Sequence, residues 1–241
     1  MSGGASIRRA GAPAAAPVSI VVPVRDYEQY LDEALGSILE QEPRPAQVIV
    51  VDDGSRDRSA EVAERTDGVE LIRQRSLGVA AAVNAGVERA GQPLLAFLDA
   101  DDRWPRGSLA ARLAALDRDP HSDAIFGSAR QFHSPDLDPQ DRQRLIAPPV
   151  GVAARVRGTM LIRAAAYERV GHPDSRWAVG EFIDWWARAE ELGLRSAMLD
   201  EVVLERRLHR GHIGRRSAEL DLDLVRVVRA AVDRRRSGTG R

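Results

Sequence analysis

The sequence predicts an α/β fold built on a mostly parallel central sheet. Short, β-branched apolar runs alternate with stretches of helical periodicity, and polar or glycine-containing loops follow the runs. Strands that alternate with helices form parallel sheets with right-handed crossovers. Ligands bind beyond the carboxyl ends of such strands. The 241 residues are enough for one sizeable domain, which we expect over residues 18–214.

The first half of this domain, about residues 18–118, contains three strand–helix pairs and a fourth strand. The strands are predicted at 18–24, 48–51, 69–73 and 94–98. The first helix is predicted at 27–39. Ser55 or Asp57 would cap the second, which continues through residue 63. The third is predicted at 78–90, and its many small residues indicate close packing against the sheet.

The second half, about residues 119–214, combines short elements with a long polar segment at 133–149. One or two strands are predicted at 124–132 and again at 197–208, and one strand at 152–162. Helices are predicted to end at Val170 and to cover 180–192. Residues 1–17 are predicted to be a disordered leader. Residues 215–241 are predicted to form an amphipathic helix, at 220–232, and a basic tail. That helix would pack on the domain or on a second subunit, which would give a homodimer.

The composition excludes several classes of function. The chain has no cysteine, which excludes disulfides, thiolate metal sites and cysteine nucleophiles. It has no lysine either, which excludes a Walker A motif and Schiff-base chemistry. The formal net charge of −1 provides no basic field for nucleic acid. No apolar run approaches the roughly 20 residues that span a bilayer. We therefore expect a soluble, cytoplasmic protein that does not bind nucleic acid.

Three carboxylates close the fourth predicted strand. Asp99, Asp101 and Asp102 follow the apolar run 94–98 directly. Crowded carboxylates repel one another, and a bound hard cation makes such a cluster tolerable at neutral pH. The spacing favours a metal-dependent enzyme, with a solvated acidic loop as the alternative.

Asp52 and Asp53 close the second strand, where a nucleotide base could lie. A carboxylate there can accept a hydrogen bond from N3 of uracil, a donor that cytosine lacks. The alternative is an N-cap for the next helix. Since Ser55 and Asp57 suffice as caps, Asp53 is the better candidate for contact with a base.

Two more clusters lie late in the chain. Glu181 and Asp184 stand at a helix N-terminus beside tryptophans, where a partly buried carboxylate could act as a general base. The alternative is the ordinary preference for acidic residues at a helix start. Strand alternation places Arg207 and His209 on one face. His209 could complete a metal site begun by Asp101, while Arg206 or Arg207 would neutralise a leaving diphosphate. A basic surface strand is the alternative.

Four of these motifs together resemble family-2 glycosyltransferases of the GT-A fold. They read VSIVVPVRDY from Val18, VIVVDDGS from Val48, LGVAAAVNAG from Leu77 and FLDADDRW from Phe97. The resemblance is dense over 18–116 and weaker to about residue 212. It implies a Rossmann-like nucleotide-binding half with a mostly parallel sheet and a smaller, mixed acceptor-side half.

The resemblance also implies residue roles. Asp99 and Asp101 would be the DxD pair, with Asp101 and Asp102 nearest a divalent metal, Mg²⁺ or Mn²⁺. His209 is similar to a late histidine that relatives place near that metal. The residues that would line the nucleotide site are Pro23, Val24, Arg25 and Asp53.

The implied reaction is inverting transfer of a sugar from a nucleotide-sugar, with UDP as the expected nucleotide, to an acceptor hydroxyl. The acceptor could be a glycan, a lipid-linked sugar, a peptide or a small molecule. Relatives often have Glu-Asp where this chain has Glu181-Phe182, and that Asp is usually the base. We therefore rank Glu181 first as the base, Asp184 second, and a reaction with little base assistance third.

Two other functions remain open from the sequence. Phe182, at the position of the usual base, is the reason to consider a catalytically silent protein that binds a nucleotide-sugar or a partner. A nucleotidyltransferase would need a glycine-rich signature and usually a lysine near the first strand, and the chain has neither.

Overall fold

A mixed sheet of eight strands forms the centre of the protein. The computed structural model describes residues 15–148 and 150–212, together with 226, 229–230 and 232–234 near the C-terminus. The strands are β1 Ala16–Val24, β2 Pro45–Asp53, β3 Glu70–Gln74, β4 Leu94–Phe97, β5 Ala124–His133, β6 Val152–Ala154, β7 Leu161–Arg163 and β8 Ser196–Leu208. The helices are α1 Glu28–Leu39, α2 Ser59–Arg65, α3 Val79–Arg89, α4 Ser108–Arg118, α5 Pro139–Arg144, α6 Ala164–Val170 and α7 Glu181–Glu191.

The first half confirms the predicted alternation of strands and helices. β3, β2, β1 and β4 lie side by side in that order, and all of their pairings are parallel. Their carboxyl ends therefore lie along one edge of the sheet, where the loops after β1, β2 and β4 come together. Neither proposed cap occupies the N-cap position of α2, which is Arg58 and makes no side-chain cap hydrogen bond. Asp57 Oδ1 does accept hydrogen bonds from the amide and the hydroxyl of Ser59, the first residue of α2. Ser55 Oγ instead accepts from the N–H of Asp26.

β5 joins the second half to the sheet. Its Ser128 pairs with Ala153 of antiparallel β6 along one edge and with Val202 of parallel β8 along the other. β7 lies between β4 and β5 and is antiparallel to both. The segments 124–132 and 197–208, each predicted to hold one or two strands, each form one strand.

The prediction of one strand over 152–162 is wrong. β6 and β7 are separated by a 3₁₀ turn, Arg157–Thr159. The Thr159 hydroxyl donates to the carbonyl of Ala154 at 2.6 Å, which closes this turn. A Cβ on Gly158 would lie 3.0 Å from Leu204 Cδ2, so the turn passes close beneath β8. The sequence also did not predict α4, or α5 within the polar segment.

Alternate residues of the parallel strands face opposite layers of the core. Ile20 packs on the side of α1 and α4, whereas Val21 packs on the side of α3, α6 and α7. A Cβ on Gly86 of α3 would lie only 2.3 Å from Val21 Cγ1. α3 therefore lies directly on β1, as its small residues indicated.

The two predicted terminal segments lie largely outside the described residues. β1 begins at Ala16, so the prediction of a disordered leader over 1–17 is wrong for residues 16 and 17, which belong to the first strand. In the predicted C-terminal helix over 220–232, only residues 226, 229–230 and 232 are described. The homodimer through this helix stays a prediction. None of the helices in the described part of the chain is long and apolar enough to cross a membrane.

Candidate active site

A short β-bridge fixes the acidic loop that follows β4. The N–H of Arg103 donates to the carbonyl of Glu205 at 3.1 Å, and the N–H of Glu205 donates back at 2.8 Å. The side chains reinforce the bridge, since Arg103 Nε donates to Glu205 Oε2 at 2.6 Å. The bridge therefore holds the loop 99–102 against β8.

Asp101 and His209 are in direct contact as a result. His209 Nε2 lies 3.1 Å from Asp101 Oδ2, and both side chains are buried. The rings of Tyr27 and Tyr30 lie against the imidazole, with centroids 5.7 and 5.1 Å from it. An oxygen and a nitrogen donor of the kinds that bind divalent cations thus stand side by side.

A second contact of His209 fixes the position of its proton. The N–H of Gly211 donates to His209 Nδ1 at 3.1 Å, so Nδ1 is the acceptor nitrogen. The neutral ring therefore carries its proton on Nε2, facing Asp101. To hold a cation at Nε2, His209 would present that nitrogen without its proton.

Asp102 is hydrogen-bonded to β8 rather than to this pair. Its Oδ1 accepts from the N–H of Arg207 at 2.8 Å. Burial, followed by the charges of Asp101 and Asp99, raises the pKa of Asp102 well above its usual value. Asp102 is thus tied to β8 by a backbone hydrogen bond, whereas Asp101 faces the imidazole of His209.

The described residues contain no group of three or more His, Asp or Glu side chains arranged to hold a metal ion. Mg²⁺ is commonly held by one or two carboxylates together with substrate phosphates, rather than by a cage made only of protein. The Asp101–His209 pair fits that kind of site, in which the substrate supplies the remaining ligands.

Arg157 connects the acidic loop to helix α7. One of its nitrogens donates to Asp99 Oδ1 at 2.6 Å, and another donates to Glu181 Oε1 at 2.7 Å. Burial alone would lower the pKa of Arg157, but the two carboxylates outweigh burial and raise it. Glu181, the first residue of α7, is itself buried. The bridge therefore brings the predicted base and the first residue of the predicted DxD pair to one place.

Asp184 lies in a different environment, although it is only one helical turn from Glu181. Its Oδ2 accepts from Arg188 Nε at 3.2 Å, and its Oδ1 accepts from Arg234 at 2.9 Å. Both carboxylate oxygens are thus engaged by guanidinium groups. The structure brings Glu181 to the acidic loop and leaves Asp184 in a separate ion-pair cluster.

Asp53 organises the loop between β3 and α3. Its Oδ1 accepts from Gln74 Nε2 and from the N–H of Leu77, both at 2.7 Å, and its Oδ2 accepts from the N–H of Gly78 at 2.9 Å. A contact with a base would use the remaining acceptor capacity of this carboxylate, since each oxygen carries two lone pairs.

The other predicted nucleotide residues lie at the end of β1. Pro23 and Val24 are buried in the strand, and Arg25 is exposed just beyond it. Asp26 follows with a left-handed φ of 57°, and its carboxylate accepts from the N–H of Arg56 at 2.7 Å. These contacts join the loops after β1 and β2 into one wall.

Arg206 and Arg207 have opposite surroundings. Arg207 is buried against Tyr30 and Phe132, and its guanidinium donates to the carbonyl of Asp101 and forms an ion pair with Glu33 of α1. Arg206 is exposed, and its Nε lies 4.0 Å from Asp102 Oδ2. Arg207 and His209 both contact Tyr30, which confirms that they share one face.

Two residues of the site, Arg157 and Glu33, were not predicted from the sequence. Arg157 lay inside a segment predicted to be an ordinary strand, and Glu33 was one polar position on an amphipathic helix. A basic residue in the turn before a glycine is a weak signal for the first. No local pattern distinguishes Glu33, because its partners Arg103 and Arg207 come from distant parts of the chain.

Comparison with protein families gives one match that covers most of the chain. The model described as Glycosyl transferase family 2 matches residues 19–172. A glycosyltransferase of Nostoc sp. is 36% identical over 92 residues, which are 36% of this chain and 29% of that protein. The glycosyltransferase EpsJ of Bacillus subtilis is 36% identical over 89 residues, or 35% of this chain and 26% of that protein. These matches span less than a third of the length of either relative.

Solved structures share the fold. The crystal structure of S. aureus TarS 1–349 in complex with UDP-GlcNAc superposes with a TM-score of 0.67 and 21% sequence identity, covering 87% of this chain and 65% of that one. The complex of the same protein with UDP gives a TM-score of 0.65 at 22% identity, covering 89% of this chain and 64% of that one. The architecture is thus GT-A-like, with a Rossmann-like first half.

Proposed function

The chain belongs to glycosyl transferase family 2, and from that premise we propose that it transfers a sugar from a UDP-sugar to an acceptor hydroxyl with inversion and with the aid of a divalent cation. The observation that carries this proposal is the Arg157 bridge between Asp99 and Glu181. It links a candidate base to the end of the sheet where nucleotides bind in α/β folds.

The nucleotide would lie along the loops after β1 and β2. Asp53, fixed by three hydrogen bonds from the β3–α3 loop, would accept from N3 of uracil. Pro23 and Val24 would line the base and ribose, with Arg25 at the open side. Asp99, whose side chain is partly exposed, would face the donor from the acidic loop.

Asp101 and His209 would hold Mg²⁺ or Mn²⁺ together with oxygens of the diphosphate. When bound, the cation would supply positive charge against the negative charge that develops on the leaving diphosphate. Arg206 would add to this charge from the exposed side. Arg207 is assigned a positioning role, because its guanidinium is buried and paired with Glu33.

Glu181 would accept the proton of the acceptor hydroxyl as its oxygen attacks the anomeric carbon and the bond to UDP breaks. Its Oε1 is bound by Arg157, whereas its Oε2 makes no hydrogen bond to the described residues. A free carboxylate oxygen at this place is what general-base catalysis requires. Inversion follows if attack and departure occur on opposite faces of the sugar.

The test is release of UDP from a panel of UDP-sugars with Mn²⁺ present. We expect turnover with at least one donor, and Asp101→Ala should abolish both turnover and Mn²⁺-dependent UDP binding. Asp67→Ala, a change at an exposed carboxylate before β3, is the matched control and should behave as wild type. UDP binding without any transfer or hydrolysis would instead support the silent binding protein. Near-normal turnover of Asp101→Ala would exclude the assigned metal ligand.

A further inference from the structure

An apolar cavity of about 130 Å³ lies between β5, β6 and β8. Its walls include Ala129, Val150, Val152, Ala154 and Val156, together with the side chain of Arg206. Val150, which precedes β6, is 67% exposed, and Val152, the first residue of β6, is 55% exposed. Such exposure is unusual for β-branched apolar side chains. Clustered exposed apolar side chains of this kind mark binding surfaces.

The cavity adjoins the candidate active site at two points. Arg206 lines it and lies 4.0 Å from Asp102 of the acidic loop. Val156 also lines it and is followed directly by Arg157, which bridges Asp99 and Glu181. A molecule that placed a hydroxyl near Glu181 could therefore extend into the cavity.

The chemistry of the walls selects what can fill the cavity. Gln131 and Arg206 are its polar lining side chains, and the others are aliphatic or proline. A saccharide here would leave hydroxyl groups without partners, which costs free energy for each buried group. An apolar cavity of about 150 Å³ holds one benzene molecule, so this one matches a group of about six carbon atoms.

We propose that the acceptor is amphiphilic, with an aryl or branched alkyl group of this size beside the hydroxyl that is glycosylated, and that this group sits in the β5–β6–β8 cavity. The inference rests on the proposed function, which supplies the transfer reaction. The presence of an apolar group on the acceptor is inferred from the cavity itself. It narrows the acceptor from any hydroxyl compound to one with an apolar substituent.

The experiment compares phenyl β-D-glucopyranoside with methyl β-D-glucopyranoside, two probes that differ only in the apolar group. Their affinities are measured by ligand-observed NMR titration of the full chain, and UDP binding is measured separately on the same samples. We expect the phenyl probe to bind at least about tenfold more tightly, because burial of an aromatic ring is worth that much or more.

Val152→Asp should remove this preference, because a carboxylate replaces an apolar side chain in the cavity wall. Since Arg206 lines the same cavity, the UDP affinity of this variant is measured separately and is not used to judge the preference. Leu192→Asp is the matched control, since Leu192 is also 55% exposed but lies at the end of α7. It should keep the full preference for the phenyl probe.

Three results would overturn the inference. The first is equal binding of the two probes, and the second is a preference that survives Val152→Asp. The third is that the wild type shows no preference for the phenyl probe but self-associates, and that Val152→Asp abolishes the self-association. If UDP fails to bind while the preference depends on Val152, the apolar site stands and the proposed donor is wrong. If UDP binds and the preference is absent, the proposed donor stands and the apolar site is wrong.

Discussion

At the scale of single residues, the two carboxylates at the start of α7 differ in what surrounds them. Glu181 touches Arg157 of the acidic-loop bridge, whereas Asp184 is held by Arg188 and Arg234. A residue that receives a proton in the transition state contributes to kcat, and an ion-paired residue elsewhere contributes to stability.

We expect Glu181→Gln to lower kcat about 10²- to 10⁴-fold with little change in the KM for the donor. Asp184→Asn should leave kcat within a few-fold of wild type and lower the thermal midpoint instead, because it weakens two ion pairs. Steady-state kinetics and thermal unfolding of both variants separate the roles. A large loss of kcat confined to Asp184→Asn would reverse our ranking of the two carboxylates.

Glu205 gives a pH-dependent prediction. Burial alone would raise the pKa of Glu205, but hydrogen bonds from Arg130 and Arg103 outweigh it and hold the pKa below its usual value. The folded state therefore favours the ionised form. The resulting stabilisation is complete above the ordinary carboxyl pKa of the unfolded chain, and it is lost as the pH falls through the lower pKa of the folded protein.

Glu205→Gln should therefore lower the free energy of unfolding at pH 7 by about 2 kcal/mol, less than for a fully buried pair because Arg130 is half exposed. The loss should shrink as the pH falls below about 4, and urea titrations across pH measure it. Glu40→Gln is the control, because Glu40 pairs with Arg106 on the surface at 3.5 Å. It should change stability by less than about 0.5 kcal/mol at any pH.

The residues of the site were only partly predictable. Asp101 and His209 could be proposed as partners because each sits in a pattern known from a family, and the structure brings them into contact. The engagement of Asp102 by the backbone of Arg207 depends on the register of β8 against the acidic loop. Arg157 could not be singled out among many arginines, since only its position in a 3₁₀ turn aims it at two carboxylates.

At the scale of elements, two glycines inside helices test how closely each helix approaches its neighbours. Gly86 of α3 has no room for a side chain, since a Cβ would lie 2.3 Å from Val21 Cγ1 and 3.2 Å from Val51 Cγ2. A Cβ on Gly36 of α1 would meet no atom within 4 Å beyond its chain neighbours and the backbone of its own helix.

We expect Gly86→Ala to destabilise the protein by about 1–3 kcal/mol through overpacking. Gly36→Ala should stabilise it by about 0.5–1 kcal/mol, because alanine loses less backbone entropy in a helix. Chemical denaturation of both variants measures the two changes. Equal effects of the two substitutions would mean that α3 does not pack on β1 as closely as described.

The elements of the first half were predictable because each one carries its own periodicity. The single strand expected over 152–162 fails for a reason that is not local. Its apolar pattern continues through the segment, but the chain turns where Gly158 meets Leu204 of β8. A contact between segments so distant in sequence leaves no mark on the local pattern.

At the scale of the whole molecule, a ligand that binds only the folded state raises the temperature of unfolding. UDP at about 100 times its dissociation constant adds about 2.7 kcal/mol, which corresponds to about 5–10 °C for a chain of this length. We expect this shift for UDP with Mn²⁺ in thermal scans, and a smaller one for CDP, because cytosine lacks the N3 donor for Asp53. Equal shifts for the two nucleotides would remove Asp53 from base recognition.

The order of strands across the sheet shows where prediction from sequence ends. Parallel packing of β3, β2, β1 and β4 follows from alternating strands and helices. The insertion of β7 between β4 and β5 does not, because three residues of strand carry too little pattern to select a partner.

The contact between Asp101 and His209 joins positions 108 apart in the chain, and the Arg157 bridge to Asp99 joins positions 58 apart. Ordering such long loops is an entropic cost that folding meets before the contacts repay it. Since chains are synthesised from the N-terminus, Arg157 becomes available to the acidic loop before β8 does, and Asp101 lacks His209 until the end of β8 has emerged. The proposed binding of a cation with a nucleotide depends on these distant contacts, so in refolding we expect it to return with the slowest phase rather than with the first recovery of helix and strand.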